Sequence, residues 1–367
     1  MPHLDRPRDT TSVKKFIVLA VIVAVGVGIY SQRTPLIERL LDRGIERRIA
    51  FDMMKELPDG LHVTVCGAGG PMPSPKASGA CVAVVAGNQL FVVDAGTNGL
   101  RNLMQLGFPT GAMTAVLLTH FHSDHIDGLG EMATIRWVGA GNTEPLPVYG
   151  PEGVTEVVEG FNAAYRSDGL YRQAHHGDNV APLSGHGMQA MPFESPEDGE
   201  LVRVYSNGEL TIDALKVVHD PVKPAVAYLF RYKDRSALVS GDTAKSENLE
   251  RFADGVDLLV HEALSHRLVK MMNGIATRED NAIMAKVTFD ILDYHASPKE
   301  AAETARDAGV GHLLYYHIVP PLIVPGQEAL WLNGADEVFP AYTIAQDGTS
   351  FSLPAGSKDI LQTRDSM

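Results

Sequence analysis

The sequence predicts an α/β domain preceded by an N-terminal hydrophobic helix, and three observations predict it. From residue 61 onward, short β-branched runs alternate with stretches of helical spacing. Histidines and aspartates gather where several of those runs end, the usual place for functional loops. A fifteen-residue uncharged segment, Phe16 to Tyr30, follows Arg6, Arg8, Lys14 and Lys15.

Composition sets the bounds. The chain has 367 residues, 45% hydrophobic and 21% charged, enough for one large domain or two ordinary ones with a buried core. Disorder throughout is excluded. Forty-five acidic residues against 31 basic give a formal charge of −14, which repels phosphate backbones. That balance counts against a general nucleic-acid binder, a local basic patch excepted. Two cysteines, Cys66 and Cys81, are too few for a disulfide scaffold or a thiolate zinc site.

In order, residues 1–15 read as a basic tail and 16–30 as a signal-anchor or transmembrane helix. Ser31-Gln32-Arg33 offers no small-residue cleavage site, so an uncleaved anchor is preferred to a secreted, cleaved form. The expectation is a membrane-anchored protein with an extracytoplasmic catalytic domain, periplasmic in a bacterium. Residues 31–57 read as a charged linker helix ending near Pro58-Asp59-Gly60, and 58–367 as the enzyme domain. Strands are predicted at 61–66, 80–86, 89–95 and 115–120, with a Gly/Pro loop at 67–73 and a helix at 97–107 stopped by Gly. Residues 139–200, rich in Gly and Pro, read as an insertion or lid carrying one helix at 152–166. Strands resume at 210–219, 225–232, 236–242 and 256–263, with a short helix at 245–253. Residues 264–295 read as mainly helical. Ser297-Pro298-Lys299-Glu300 supplies an N-cap, a Pro at the first helical position and a Glu three residues on. That helix stops at Gly309, and strands follow at 312–317 and near 350–353.

The chemistry is concentrated in Thr119-His120-Phe121-His122-Ser123-Asp124-His125, directly after an apolar strand. Imidazole and carboxylate together suit zinc and related ions. In extended chain His120 and His122 point the same way, so both reach one ion, while Asp124 and His125 face a second. His-Phe-His-Ser-Asp-His-Ile-Asp-Gly resembles the signature of the metallo-β-lactamase fold superfamily, and the order of later motifs across residues 60–355 agrees. The resemblance implies a four-layer αββα sandwich with two divalent ions, zinc by family habit, at one edge. It assigns His120, His122 and His219 to the first ion, Asp124, His125 and His317 to the second, and Asp242 as the bridge. It also makes Asp124 and His295 the catalytic groups, the second protonating the leaving oxygen. His261 and Glu262, in a His-Glu-Ala run, and Asp94 match carboxylates and histidines near the metals; Glu262 either orients a ligand or caps a helix, and Asp94 is equally a turn aspartate.

Within the superfamily the motifs are most similar to the ribonuclease Z and arylsulfatase-like branch. Ribonuclease Z proteins of the transfer-RNA type carry a long arm between the third metal motif and the bridging aspartate. Here His219 and Asp242 are 23 positions apart, which leaves room for a hairpin. The expectation is therefore a binuclear hydrolase that uses a metal-bound hydroxide on a small ester, a phosphodiester or aryl sulfate. Its partners would be that small molecule and, through residues 16–30, a membrane, with nucleic acid disfavoured. The alternatives are a ribonuclease Z-like endonuclease on transfer-RNA 3′ ends, a lactonase or thioesterase, and a metal-binding scaffold without catalysis. Cys66 and Cys81 lie at facing strand ends: a disulfide follows if the domain is exported, two buried thiols if it is not.

Overall fold

The computed structural model describes residues 10–364 and 366–367. Of the basic tail predicted at 1–15, residues 1–9 lie outside the described residues. The chain divides into two units, Met1–Phe51 and Asp52–Met367. In the first, one continuous helix, α1 (Thr10–Ala50), runs through Pro35, where separate anchor and linker helices were expected. Among the described residues no helix is long and apolar enough to cross a membrane. The physical reason is length: fifteen apolar residues span about 22 Å of helix, short of a hydrocarbon core of about 30 Å. The expected transmembrane anchor is corrected on that ground. The extracytoplasmic and secreted placements, which rested on it, are withdrawn with it.

In the second unit, fifteen strands among the described residues form two mixed sheets. The first holds β1 (Gly60–Gly67), β2 (Cys81–Ala86), β3 (Gln89–Val93), β4 (Met113–Leu117), β5 (Leu146–Gly150) and β6 (Met188–Pro192). The second holds β7 (Val202–Asn207), β8 (Leu210–Lys216), β9 (Val226–Tyr232), β10 (Arg235–Val239), β11 (Leu258–Leu264), β12 (His312–Val319) and β13 (Tyr342–Ile344). The chain then returns to the first sheet with β14 (Ser350–Pro354) and β15 (Leu361–Arg364). The spatial orders are β15-β14-β1-β2-β3-β4-β5-β6 and β13-β12-β11-β10-β9-β8-β7. Each sheet is antiparallel on one side and parallel on the other, with β3 to β6 parallel in the first and β10 to β13 parallel in the second.

Period-two burial explains why the sheets pack as they do. In β2, Val82, Val84 and Ala86 enter the core between the sheets, while Cys81, Ala83 and Val85 face the outer layer of helices. In β9, Val226, Tyr228 and Phe230 face inward, and Ala227 and Leu229 face outward. Both faces of these strands are buried, so they read as unbroken apolar runs.

The helices of this unit are α2 (Met53–Glu56), α3 (Gly99–Leu106), α4 (Ser123–Ile126), α5 (Leu129–Ala140), α6 (Val154–His176), α7 (Glu247–Phe252), α8 (His266–Arg278), α9 (Ala282–Asp290), α10 (Pro298–Asp307), α11 (Gln327–Leu332) and α12 (Ala335–Val338). Leu100 and Leu103 of α3 and Met132 of α5 cover the first sheet, and Leu249 of α7, Ala301 and Ala305 of α10 and Trp331 of α11 cover the second. The result is the four-layer arrangement. Residues 139–200 are not an inserted lid. They contribute β5 and β6 to the first sheet and a helix ten residues longer than the predicted 152–166 at its C-terminal end. Met271 and Met284 are 54% and 43% exposed, whereas Trp137 is fully buried.

Candidate metal centre

Five strand ends deliver the site. Asp94 follows β3 and turns the chain with a φ of 59°. Thr119, His120 and His122 follow β4, whose exit is tied down by a bond from Tyr228 Oη to the Leu118 carbonyl at 2.7 Å. His219 follows β8 and Asp242 follows β10. His317 sits in β12 at a bulge, where Glu262 pairs with Tyr316 and Ala263 with Ile318; the extra residue has a φ of 46°. The wall behind it is Gly70. A Cβ there would lie 2.7 Å from His317 Cε1, so only glycine leaves room for the ring.

All seven predicted ligands come together, in two groups. His120, His122, His219 and Asp242 converge in one, and Asp124, His125 and His317 in the other. Asp242 faces both. Its Oδ1 lies 3.4 Å from His125 Nε2 and 3.5 Å from His317 Nε2. Its Oδ2 lies 3.7 Å from His120 Nε2 and 3.9 Å from His219 Nε2.

Three of the histidines are oriented by what the far nitrogen holds. His125 Nδ1 donates to Asp94 at 2.8 Å. His219 Nδ1 donates to the Tyr294 carbonyl at 2.9 Å. His120 Nδ1 reaches Thr119 Oγ1 at 3.0 Å, and that hydroxyl donates to Asp94 at 2.9 Å. Asp94, fully buried, thus holds one histidine of each group. Of the atoms turned inward, His125 Nε2, His219 Nε2 and Asp242 Oδ1 are buried without a hydrogen-bond partner among the described residues, whereas His120 Nε2 lies 3.0 Å from His122 Nδ1. Orphaned buried lone pairs of this kind are costly unless a cation satisfies them, so the donor set fits two divalent ions.

The electrostatics match a cation site. Burial and the charge of His125 hold His120 well below the ordinary histidine range. Burial opposes charge on Asp242, but His317 and His125 hold its carboxyl well below the usual range. Burial would depress His317 too, yet Asp242 and the bond to Asp124 push it up to about 9.

His295 lies beside this centre, with its ring centroid 5.2 Å from that of His219 and 5.7 Å from that of His317. Glu262 Oε1 accepts from His295 Nδ1 at 3.0 Å, from the Ala296 N–H at 3.1 Å and from the Thr243 N–H at 3.2 Å. Glu262 therefore positions His295 and joins its loop to the one bearing Asp242. His261 points to the other side of β11 and donates to its neighbour's carbonyl at 2.7 Å; it takes no part in the site. Cys66 and Cys81 are joined in a disulfide. Sequence reasoning missed Thr119, the Tyr294 carbonyl and Gly70. The signal for Thr119 was present, since a hydroxyl directly precedes the histidine motif; a carbonyl or a close approach leaves none.

Residues 90–318 match the model of the family described as "Beta-lactamase superfamily domain". The ribonuclease Z of Mycolicibacterium gilvum is 36% identical over 273 residues, which is 74% of this chain and 88% of that one. Among solved structures, the metallo-β-lactamase fold protein YhfI from Bacillus subtilis superposes with a TM-score of 0.57 at 21% identity, covering 80% of this chain and 100% of that chain. Human tRNase Z, short form, superposes with a TM-score of 0.55 at 19% identity, over 80% of this chain and 99% of that chain. The relatives at this identity are named ribonuclease Z, which corrects the expected partners. The small-molecule ester, the membrane and the exclusion of nucleic acid do not stand. A charge of −14 is an average over the whole chain and does not describe any one groove.

Proposed function

Since the chain belongs to the metallo-β-lactamase superfamily, in its ribonuclease Z branch, and is a metal-dependent hydrolase of ester bonds, we propose that its substrate is RNA, cut at a phosphodiester near a transfer-RNA 3′ end. The relatives named ribonuclease Z support the substrate. The observation that supports the reaction is Asp242, whose two oxygens are shared between two histidine groups. Two divalent ions, zinc on this nitrogen-rich donor set, would supply a Lewis acid for the phosphoryl oxygens and a water nucleophile at neutral pH. His120, His122 and His219 would hold one ion, Asp124, His125 and His317 the other, with Asp242 shared.

The remaining chemistry belongs to the chain. Asp124 accepts the proton of the attacking water. Burial works against its charge, but the bond from His317 Nε2 at 3.2 Å and the field of His125 keep it an acceptor. His295, fixed through Nδ1 by Glu262, presents its Nε2 to the leaving ribose oxygen and donates the proton that departure requires. The 23 positions from His219 to Asp242 are spent on β9, the turn at Lys233-Asp234 and β10, so contacts along the RNA have to come from other parts of the surface.

The test is cleavage of a precursor transfer RNA with a 3′ trailer by the zinc-loaded protein. A single cut at the 3′ end, abolished by chelation and by Asp242→Ala, is the expected result. Intact RNA together with turnover of bis-p-nitrophenyl phosphate would overturn the substrate and leave the hydrolase standing.

A further inference from the structure

Beside the loop that carries His295, a cavity of about 340 Å³ opens between the starts of α8 and α10 and the end of α11. Its lining includes Ser265, Arg267, Lys270, Lys299 and Asn333. Three features set it apart from ordinary surface. Ser265, the residue just before α8, is 1% exposed, and its hydroxyl has no hydrogen-bond partner among the described residues. No side chain caps α8, a thirteen-residue helix whose first N–H groups are therefore free for an anion. Arg267, Lys270 and Lys299 are exposed, and among the described residues none has a carboxylate within ion-pair distance, although most other cations in this acidic unit do. The cavity is coupled to the reaction centre through the chain, since His266 Nε2 approaches the His295 carbonyl at 3.3 Å and the Leu264 N–H donates to the Ala296 carbonyl at 2.9 Å.

We propose that this cavity is a phosphate subsite, in which Ser265 Oγ, the start of α8 and the Arg267, Lys270 and Lys299 side chains hold a phosphoryl oxyanion of the RNA chain one or more nucleotides from the cut. The proposal rests on the RNA reading above. A hydroxyl, free helix N–H groups and unpaired cations together match a tetrahedral oxyanion and match neither a cation nor an apolar ligand. The subsite also answers the short β9–β10 hairpin, because it places a handhold for the backbone beside the residue that protonates the leaving group. Free phosphate offers the same chemistry, so the experiment separates the two sources.

The full-length protein is compared with Lys270→Ala/Lys299→Ala and with the charge-keeping Lys270→Arg/Lys299→Arg. Each is assayed on precursor transfer RNA and on bis-p-nitrophenyl phosphate, which is too short to reach the cavity, and each is titrated with inorganic phosphate. The alanine pair is expected to raise KM for RNA about tenfold with kcat kept, and to lower the slope of log KM against log salt by about 0.7, the value for one phosphate contact on a single strand. Turnover of the short diester stays unchanged, and the arginine pair restores KM. An unchanged KM and salt slope on RNA overturn the subsite. Should the native protein leave RNA intact, the RNA reading fails by itself and phosphate binding decides the cavity. Weaker phosphate binding in the alanine pair then keeps it as a site for the free anion, and equal binding in both proteins overturns it.

Discussion

At the scale of single residues, the site depends on which nitrogen of each histidine is spoken for. Asp94 shows this best. It receives His125 Nδ1, the Thr119 hydroxyl and the Thr119 N–H at 2.8 Å, so one buried carboxylate fixes the inward nitrogens of His125 and, through Thr119, of His120. Asp94→Asn keeps the shape and loses the charge. It should weaken metal affinity about 10- to 100-fold, read by competition with a chelating dye. Native-like affinity would reduce Asp94 to a turn residue. His295→Ala should lower kcat by about 10²–10⁴ with both metal ions retained. Loss of metal along with activity would instead make His295 a ligand, which its place within reach of Asp242 and His317 leaves open to measurement. The seven candidate ligands stood out in the sequence because their motifs lie at or just beyond strands, in the order that the family resemblance implies. Thr119 and the Tyr294 carbonyl were not, because their role depends on what packs beside them.

At the scale of elements, the loop between β1 and β2 matters most. It carries Gly70, which walls His317, and it is closed by the Cys66–Cys81 disulfide across a sequence separation of 15. In the chain-entropy account, a closure of that length stabilises by about 3 kcal/mol. Cys66→Ala/Cys81→Ala should therefore unfold at lower denaturant concentration by roughly that free energy, with turnover falling as the Gly70 wall loosens. An unchanged midpoint would show that burial alone holds the loop. The prediction of strands β2 and β3 and of α10, with its Ser297–Glu300 capping box, needed local signals only. The reading of 139–200 as a lid erred for a physical reason: β5 and β6 are short and flanked by Gly and Pro. Their pairing partners, β4 for β5 and β5 for β6, are supplied by the sheet and not by neighbouring sequence.

At the scale of the whole molecule, two sheets press a continuous apolar core, and buried histidines outside the metal centre make its stability depend on pH. His62 in β1 is 4% exposed, and burial lowers its pKa against the opposing bond to the Pro58 carbonyl at 2.8 Å. The unfolded chain takes up that proton near pH 6.5, while the folded protein refuses it until lower pH. Stability from this group is therefore full above about 6.5 and is lost as pH falls. Native protein should lose more stability than His62→Gln between pH 7.5 and 5.5 in chemical denaturation, and parallel curves would dismiss the effect. The sequence by itself determined the alternating strands, the candidate ligands and the family, because period-two burial and histidines near strand ends are local patterns. It overstated the apolar run at 16–30, which is shorter than a membrane span, and its acidic balance was no ground for setting nucleic acid aside, because net charge is a sum without positions. Tertiary structure alone decided that Asp94 serves both histidine groups, that Glu262 serves His295, and that Ser265, Lys270 and Lys299 meet at one cavity, since each of these joins residues from separate strands and helices.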